Sequence, residues 1–244
     1  MLSTPQNSAS DGAGSPADAQ LAGRFAALRQ RLAEVAQASG RDVDSITLLA
    51  VSKGQESGRL RAALDLGIRR FGENYVDEAL DKIQALQGRG AEWHFIGRVQ
   101  ANKTRPVAEH FDWVHGVDRA RTAERLSAQR PDHAAPLNVC LQINIAGEAA
   151  KGGVSPGAAL SLLRDLAALP RLRLRGLMTM LPFGLPAAEQ RRAFGALRAL
   201  RDQANATGMA LDTLSMGMSG DFEAAIAEGA TIVRIGTALF GPRP

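Results

Sequence analysis

The stretch that decides the fold lies near the carboxyl end, where residues 211–241 read LDTLSMGMSGDFEAAIAEGATIVRIGTALFG. Two apolar, partly β-branched runs, at residues 211–219 and 230–241, flank a helix-like segment at residues 221–229. Strands that alternate with helices are typical of a parallel sheet built from strand–helix units. The stretch therefore predicts two parallel strands joined by a crossover helix.

The same alternation extends back through most of the chain. Six further runs predict strands at residues 46–53, 68–75, 92–99, 111–118, 137–145 and 172–180, and helix-like segments lie at residues 56–67, 76–88, 119–129, 155–169 and 187–208. Eight strands with right-handed crossovers favour a closed (β/α)8 TIM barrel in a single α/β domain. An open doubly wound sheet is the alternative, but VSKGQESG after the first strand is not the GxGxxG turn typical of such sheets.

The amino-terminal segment differs from the rest. Residues 1–19 are rich in Ser, Ala, Gly, Pro and Asp, and we expect a disordered tail because they contain almost no large apolar side chain. Apolar residues then recur at helical spacing from Leu21 to Val35, and Gly40 is a helix stop. This pattern predicts a leading helix, and the barrel domain is expected at residues 20–244.

Composition excludes several classes of protein. The 244 residues include one cysteine, Cys140, so no intramolecular disulfide is possible and a cytoplasmic location is expected. No apolar run reaches the roughly 18 residues of a membrane span, and residues 1–20 lack the pattern of a signal peptide. The net charge of +4 comes from arginines interspersed with acids, which argues against nucleic acid as the main partner. The histidine spacing predicts no metal site.

In a TIM barrel the functional site forms at the carboxyl ends of the strands. The first predicted strand ends in Ser52 and Lys53, in a chain where only 4 of the 29 Lys and Arg residues are lysines. An amine at the end of a largely apolar strand is partly desolvated, which favours the neutral form that makes an imine. A lysine paired with a carboxylate at the barrel mouth is the alternative.

The last two predicted strands end in loops suited to a phosphate. SMGMSGD supplies Ser215 and Ser219, and RIGT supplies Gly236 and Thr237, so that amides and hydroxyls from two adjacent loops could converge on one anion. Such turns could alternatively serve only to close a barrel. Arg234 lies inside the apolar run TIVRIG, where a guanidinium is costly unless it faces a polar acceptor.

An amine, a phosphate cradle and an inward arginine together predict pyridoxal 5'-phosphate (PLP) as the cofactor. In this interpretation Lys53 forms the Schiff base, the two terminal loops hold the phosphate, and Arg234 faces the pyridine nitrogen. Because an arginine does not give up a proton, it would keep that nitrogen unprotonated and weaken the ring as an electron sink.

Longer motifs carry a resemblance to a known family. AVSK (50–53), FGENYVDEA (71–79), WHFIGRVQANK (93–103), VHGVD (114–118), GLMTM (176–180) and residues 214–241 resemble, in order, the pyridoxal phosphate homeostasis protein family over roughly residues 21–241. The resemblance implies a single-domain barrel like the amino-terminal domain of alanine racemase, with PLP bound covalently to Lys53. It also implies that the ring contacts Asn74 and Arg234, and that the phosphate contacts Ser219, Gly236 and Thr237.

The function implied by the resemblance is that of a non-catalytic carrier, a monomer that buffers this form of vitamin B6 and delivers it to PLP-dependent apoenzymes. A PLP-dependent amino-acid racemase is the alternative, and a nucleic-acid or general binding module is a second one. A two-base racemase needs a lysine and a tyrosine on opposite faces of the substrate, whereas the chain's one tyrosine, Tyr75, is expected to pack at the barrel rim.

Two positions bear on the resemblance, and two others have alternative interpretations. Gln55 stands where many members of the family have a second lysine, and Lys151 in GEAAKGG is either an auxiliary PLP contact or a solvated loop lysine. Lys103 either meets an anion at the barrel mouth or begins a helix. His94 either touches the cofactor or belongs to the core.

Overall fold

The computed structural model describes residues 15–148 and 152–242 and confirms the predicted closed barrel of eight parallel strands. Each strand pairs with its neighbour in the chain, and the last pairs with the first to close the ring. The strands are β1 (Thr47–Val51), β2 (Arg70–Glu73), β3 (Glu92–Phe95), β4 (Trp113–Val117), β5 (Leu137–Gln142), β6 (Leu172–Met178), β7 (Thr213–Met218) and β8 (Ile232–Ile235).

Helices surround the ring, and those predicted between the strands are confirmed. They are α1 (Pro16–Ala38), α2 (Ser57–Asp65), α3 (Val76–Ala85), α4 (Thr104–His110), α5 (Ala120–Gln129), α6 (Pro156–Ala167), α7 (Ala187–Ala206), α8 (Phe222–Ala227) and α9 (Thr237–Phe240), with a 3-10 turn at Val43–Ser45. None of the helices in the described ranges has the length and apolarity needed to cross a bilayer.

The hydrophobic core has two parts, because successive side chains of a strand point to opposite faces of the sheet. One part lies between the strands and the surrounding helices. The second is a separate buried cluster of Leu49, Ile96, Trp113, Cys140, Met178 and Ile232, which fills the barrel interior. Val51 and Met180 pack against this interior cluster from the carboxyl end of the barrel, where they also line a cavity.

The leading helix begins earlier than the sequence predicts. Helix α1 starts at Pro16, so residues 15–19 are not part of a disordered tail. The Ser15 hydroxyl accepts a hydrogen bond from the Asp18 amide (3.2 Å), and the Asp18 carboxylate accepts one from the Ser15 amide (3.1 Å). This capping box and a proline at the first helical position outweigh the low apolar content on which the prediction relied. Residues 1–14, the rest of the predicted tail, lie outside the described residues.

The strand predicted over residues 230–241 is too long. Strand β8 ends at Ile235, and Thr237–Phe240 form helix α9. The chain turns at Gly236, whose carbonyl accepts hydrogen bonds from the amides of Leu239 (3.0 Å) and Phe240 (2.9 Å). The apolar letters TALF do not distinguish a strand from a single helical turn.

Helix α4 has no counterpart among the predicted segments, although one of the two interpretations of Lys103 anticipates it. Lys103 is the N-cap residue of α4 and pairs with Asp77 at 2.7 Å. It therefore begins a helix.

Candidate cofactor site at the carboxyl end of the barrel

A cavity of about 590 Å³ lies at the carboxyl ends of the strands. The strands that supply its predicted site residues are β1, β2, β7 and β8, which are consecutive neighbours in the closed ring. All six of these residues line the cavity: Lys53, Asn74, Ser219, Arg234, Gly236 and Thr237.

Lys53 follows the end of β1 and is half-buried. An ion cluster of Lys82, Glu73 and Glu78, of which Lys82 and Glu73 are buried, holds the backbone on both sides of it. The Lys82 ammonium donates to the Ser52 carbonyl (2.7 Å), and the Glu78 carboxylate accepts from the Gly54 amide (2.5 Å). Because Lys82 comes from α3, this helix fixes the end of β1 from which the Lys53 side chain projects.

The same cluster balances charge beneath the cavity. Lys82 donates to Glu73 (2.7 Å) and to Glu78 (2.6 Å). Burial raises the pKa of Glu73, and its hydrogen bonds from Lys82 and Ser52 oppose that rise. Burial also acts to raise the pKa of Glu78, but hydrogen bonds from Lys82 and Gly54 and the charges of Lys82 and Lys53 outweigh it, so that this pKa is lowered. The charge of Lys53 is thus near enough to Glu78 to contribute to the lowered pKa of that carboxyl.

Asn74 follows the end of β2 and contributes an unsatisfied polar atom. Its amide oxygen is buried and has no hydrogen-bond partner among the described residues. Leaving a buried acceptor unpaired costs about 1–3 kcal/mol. Since Asn74 lines the cavity, this oxygen fits a site built for a polar ligand.

The two terminal loops converge as predicted. The Ser219 hydroxyl, after β7, accepts a hydrogen bond from the Ala238 amide, after β8, at 3.4 Å. The first loop is closed by Asp221, whose carboxylate accepts from the Met218 amide at 2.6 Å. Hydroxyls and amides from both loops therefore lie on one side of the cavity.

Ser215 of SMGMSGD does not serve the predicted purpose, and Gly217 of the same motif has a packing role. Ser215 is fully buried in the barrel interior and hydrogen-bonds to Arg234 and His115, so it is not part of the phosphate loop. Gly217 has φ 95°, and a Cβ there would lie 2.7 Å from the Cβ of Ala225. This glycine therefore allows α8 to pack closely on β7.

Arg234 points into the barrel and is 3% exposed. Its Nη1 donates to the Ser215 hydroxyl and its Nη2 to the Thr179 carbonyl, both at 2.8 Å. Burial lowers its pKa to about 10. A guanidinium carries five N–H groups, so donors remain for the cavity that Arg234 lines.

Sequence reasoning missed the apolar part of the cavity. Ile96, Met180 and Met218 line it, and so does Phe183, which is 100% exposed in the loop after β6. GLMTM ends in Met180, but the motif alone gives that residue no role. Phe183, in LPFGLP, has no sequence signal beyond an aromatic residue between prolines.

The remaining candidates lie elsewhere. Tyr75 is 65% exposed as the N-cap residue of α3, so it does not pack at the rim as predicted, and it is not among the residues that line the cavity. His94 is fully buried inside the barrel and belongs to the core. Lys151 lies outside the described residues. Those residues include no group of three or more His, Cys, Asp or Glu that could hold a metal ion.

Comparisons with known proteins fit this architecture. Residues 24–244 match the family model of the alanine racemase N-terminal domain. A pyridoxal phosphate homeostasis protein of Pseudomonas aeruginosa is 53% identical over 91% of this chain and 96% of its own length. Its counterpart in Escherichia coli K12 is 48% identical over 91% of this chain and 97% of its own length.

A solved structure has the same barrel. PipY of Synechococcus elongatus PCC7942, solved with PLP bound, superposes with a TM-score of 0.80 and is 38% identical, covering 91% of this chain and all of that one. The chain therefore belongs to the pyridoxal phosphate homeostasis protein family, which is built on the barrel of the alanine racemase N-terminal domain.

Proposed function

We propose that the protein binds PLP in the cavity at the carboxyl end of the barrel, holds it as a Schiff base on Lys53, and thereby buffers the aldehyde and delivers it to PLP-dependent apoenzymes. The observation that carries this proposal is the convergence of an amine, two polar loops and a buried arginine on one cavity. The names of the relatives and the PLP bound to PipY support it.

Different residues bind different parts of the cofactor. PLP supplies an electrophilic aldehyde, and Lys53 supplies the amine that attacks it. Ser219, Gly236 and Thr237 hold the phosphate through hydroxyls and amides. The free N–H groups of Arg234 donate to the ring nitrogen, which therefore stays unprotonated. Asn74 contacts the ring, and the bound cofactor provides a polar neighbour for its unpaired amide oxygen.

A carrier fits the cavity better than a racemase does. The lining includes Lys53 but not Tyr75, the one tyrosine in the sequence. A two-base racemase requires an acid on the face of the substrate opposite the lysine. We therefore propose a non-catalytic role. From the family resemblance and the single cysteine, we also propose that the protein acts as a monomer in the cytoplasm.

Borohydride reduction of the PLP-loaded protein followed by peptide mapping tests the site. We expect a pyridoxyl adduct on the peptide that contains Lys53. The variant Lys53→Ala should lose the imine absorbance and retain weak binding through the phosphate loops. Lys103→Ala is the matched control, since Lys103 pairs with Asp77 and does not line the cavity. An adduct confined to Lys151, or a Lys53→Ala protein that stays fully yellow, would refute the assignment.

Two further measurements separate a carrier from an enzyme. Transfer of PLP from the loaded protein to an apoenzyme, followed as recovered activity of that enzyme, is expected of a carrier. Exchange of the α-proton of an amino acid in deuterated water, catalysed by the loaded protein, would support the racemase alternative.

A further inference from the structure

A chain of hydrogen bonds crosses the barrel interior behind the proposed cofactor. Arg234 Nη1 lies 2.8 Å from Ser215 Oγ, which lies 2.7 Å from His115 Nδ1. His115 Nε2 lies 2.9 Å from His94 Nδ1, and His94 Nε2 lies 2.7 Å from Glu92 Oε1. Glu92 and His94 line a second cavity, of about 460 Å³, at the amino ends of the strands. The chain thus connects the two ends of the barrel.

The middle of this chain is sealed inside the barrel. His94, His115 and Ser215 are fully buried. His115 belongs to β4 and Ser215 to β7, and because these strands are not neighbours in the ring, their contact crosses the interior. The Trp113 ring stacks on His94 with centroids 5.3 Å apart and an angle of 8° between the planes. Packing therefore holds the histidine rings in place.

Both histidines are neutral in this environment. Burial lowers the pKa of His115 well below its ordinary value, and a positive charge on His94, were it protonated, and the charge of Arg234 lower it further. Burial lowers the pKa of His94 despite the opposing effect of Glu92. The hydrogen bond from His94 lowers the pKa of Glu92, which is therefore a carboxylate at neutral pH. Each imidazole thus carries one N–H and one bare nitrogen.

Only one arrangement of hydrogens satisfies every link. The Glu92 carboxylate only accepts, so His94 must carry its hydrogen on Nε2, which leaves Nδ1 bare. His115 must then donate from Nε2, which leaves its own Nδ1 bare for the Ser215 hydroxyl hydrogen. Arg234 only donates, and it donates to the Ser215 oxygen. All hydrogens along the chain therefore point toward Glu92.

We propose that four positioning residues hold Arg234 toward the PLP ring, namely Glu92, His94, His115 and Ser215. The Glu92 carboxylate sets the direction in which every hydrogen bond between them is donated. This inference rests on the proposed function of the cavity. When the hydrogen bonds run in this direction, the Ser215 hydroxyl donates its hydrogen to His115, and the lone pairs of the Ser215 oxygen accept from the Arg234 guanidinium. In the reverse direction, both His115 and Arg234 would donate to Ser215, whose own hydrogen would lose its acceptor.

The first test needs neither PLP nor a substitution in any residue of the hydrogen-bond chain. Nitrogen-15 NMR of histidine-labelled protein distinguishes the two neutral tautomers and the protonated ring. We expect His94 and His115 to carry their hydrogen on Nε2 at pH 7. The double variant His110→Gln/His133→Gln, at exposed positions, removes the signals of the other two histidines from the spectrum. A protonated ring, or a hydrogen on Nδ1 of either histidine, would overturn the inference.

The second test changes the end of the chain that is farthest from PLP. Glu92→Gln keeps an acceptor for His94, whereas Glu92→Lys replaces it with a donor and should move the His94 hydrogen to Nδ1. We expect Glu92→Lys to raise the Kd for PLP on the order of tenfold, the effect of about one charge-assisted hydrogen bond, and Glu92→Gln to change it less than about twofold. Glu124→Lys is the control for charge reversal, since Glu124 is exposed on α5.

A spectroscopic measurement separates positioning from general damage. Bound PLP should show an induced circular dichroism band that Glu92→Lys alters and that Glu92→Gln and Glu124→Lys leave unchanged. Equal Kd values and equal bands for Glu92→Lys and Glu124→Lys would overturn the inference while Lys53 still carried the pyridoxyl adduct. A wild-type protein without that adduct would instead refute the proposed function, and the role of the chain with it.

Discussion

Asn74 carries an unsatisfied buried acceptor in the free protein, and we propose that this acceptor serves ligand binding. Its buried amide oxygen has no hydrogen-bond partner among the described residues. Asn74 also lines the cavity. We expect Asn74→Ala to weaken PLP binding about tenfold. Because the substitution removes an unsatisfied acceptor, the free energy of unfolding of the PLP-free protein should stay within about 1 kcal/mol of the wild type. Urea denaturation and PLP titration measure the two effects.

The matched control is Asn138→Ala. The Asn138 amide group donates to the Asp112 carbonyl (3.1 Å) and accepts from Arg175 (3.0 Å). Removing it should destabilise the protein by about 1–2 kcal/mol and spare PLP binding. An Asn74→Ala protein that loses stability to the same extent would show that Asn74 is structural.

His115 makes stability depend on pH. Its pKa is lowered by burial, by any positive charge on the neighbouring His94, and by the charge of Arg234. The His115 ring therefore stays neutral in the folded state at pH values where the unfolded chain, with a histidine pKa of about 6.5, takes up a proton. The unfolded state then binds more protons, and stability falls as pH drops below about 6.5. His115→Gln should reduce this slope by up to about 1.4 kcal/mol per pH unit. Urea denaturation at pH 7, 6 and 5.5 measures it, with His110→Gln, a substitution of an exposed histidine, as the control.

At the scale of elements, the buried ion cluster joins β1, β2 and α3. Lys82 and Glu73 are 3% and 0% exposed and lie 2.7 Å apart. Lys82→Met leaves the Glu73 carboxylate without its ionic partner, and we expect a loss of about 3–5 kcal/mol in the free energy of unfolding. The double variant Lys82→Met/Glu73→Gln should recover most of that loss, as measured by urea denaturation.

The exposed pair of Lys103 and Asp77 provides the comparison. Asp77 has 80% of its side chain exposed, so Lys103→Met should cost less than about 1 kcal/mol. Because Lys82 also holds the Ser52 carbonyl, Lys82→Met should loosen the end of β1 and weaken PLP binding. Equal losses for the two lysine variants would mean that the buried cluster contributes no more than a surface pair.

At the scale of the whole molecule, ligand binding and folding are linked. A ligand that binds only the folded state stabilises it by about 2.7 kcal/mol at a hundredfold excess over Kd. Saturating PLP should therefore raise the Tm of the wild type, and the rise should be much smaller in Lys53→Ala. Thermal denaturation with and without PLP tests this, and pyridoxal without the phosphate serves as the control ligand. An equal rise in both proteins would place the binding energy away from Lys53.

The overall fold was predictable because it depends on local periodicity. Eight apolar runs separated by helical segments define the barrel, and its closure brings the ends of β1, β2, β7 and β8 together. The convergence of the six predicted residues on one cavity was predictable for the same reason, since five of them follow one of these strands and Arg234 lies within β8. Helix α9 was not, because four apolar residues after Gly236 fit a strand equally well.

The polar interior was not predictable from one sequence. The link between His115 and Ser215 joins strands on different sides of the ring, and Lys82 looks like any charge on an amphipathic helix. Which polar side chains meet depends on register and on the direction in which each strand points, and local patterns do not contain this information. Ser215 and Ser219 have the same chemistry in the sequence, yet one lies inside the barrel and the other in a loop.

Cys140 lies in the interior cluster, fully buried, and burial raises its pKa to about 12. A thiol of this kind reacts with alkylating reagents only when the surrounding strands separate. Since it is the sole cysteine in the sequence, the native protein contains a built-in reporter of barrel opening. If a bound ligand suppresses separation of the barrel strands, the alkylation rate of Cys140 should be lower with the ligand than without it, and no label needs to be introduced into the protein.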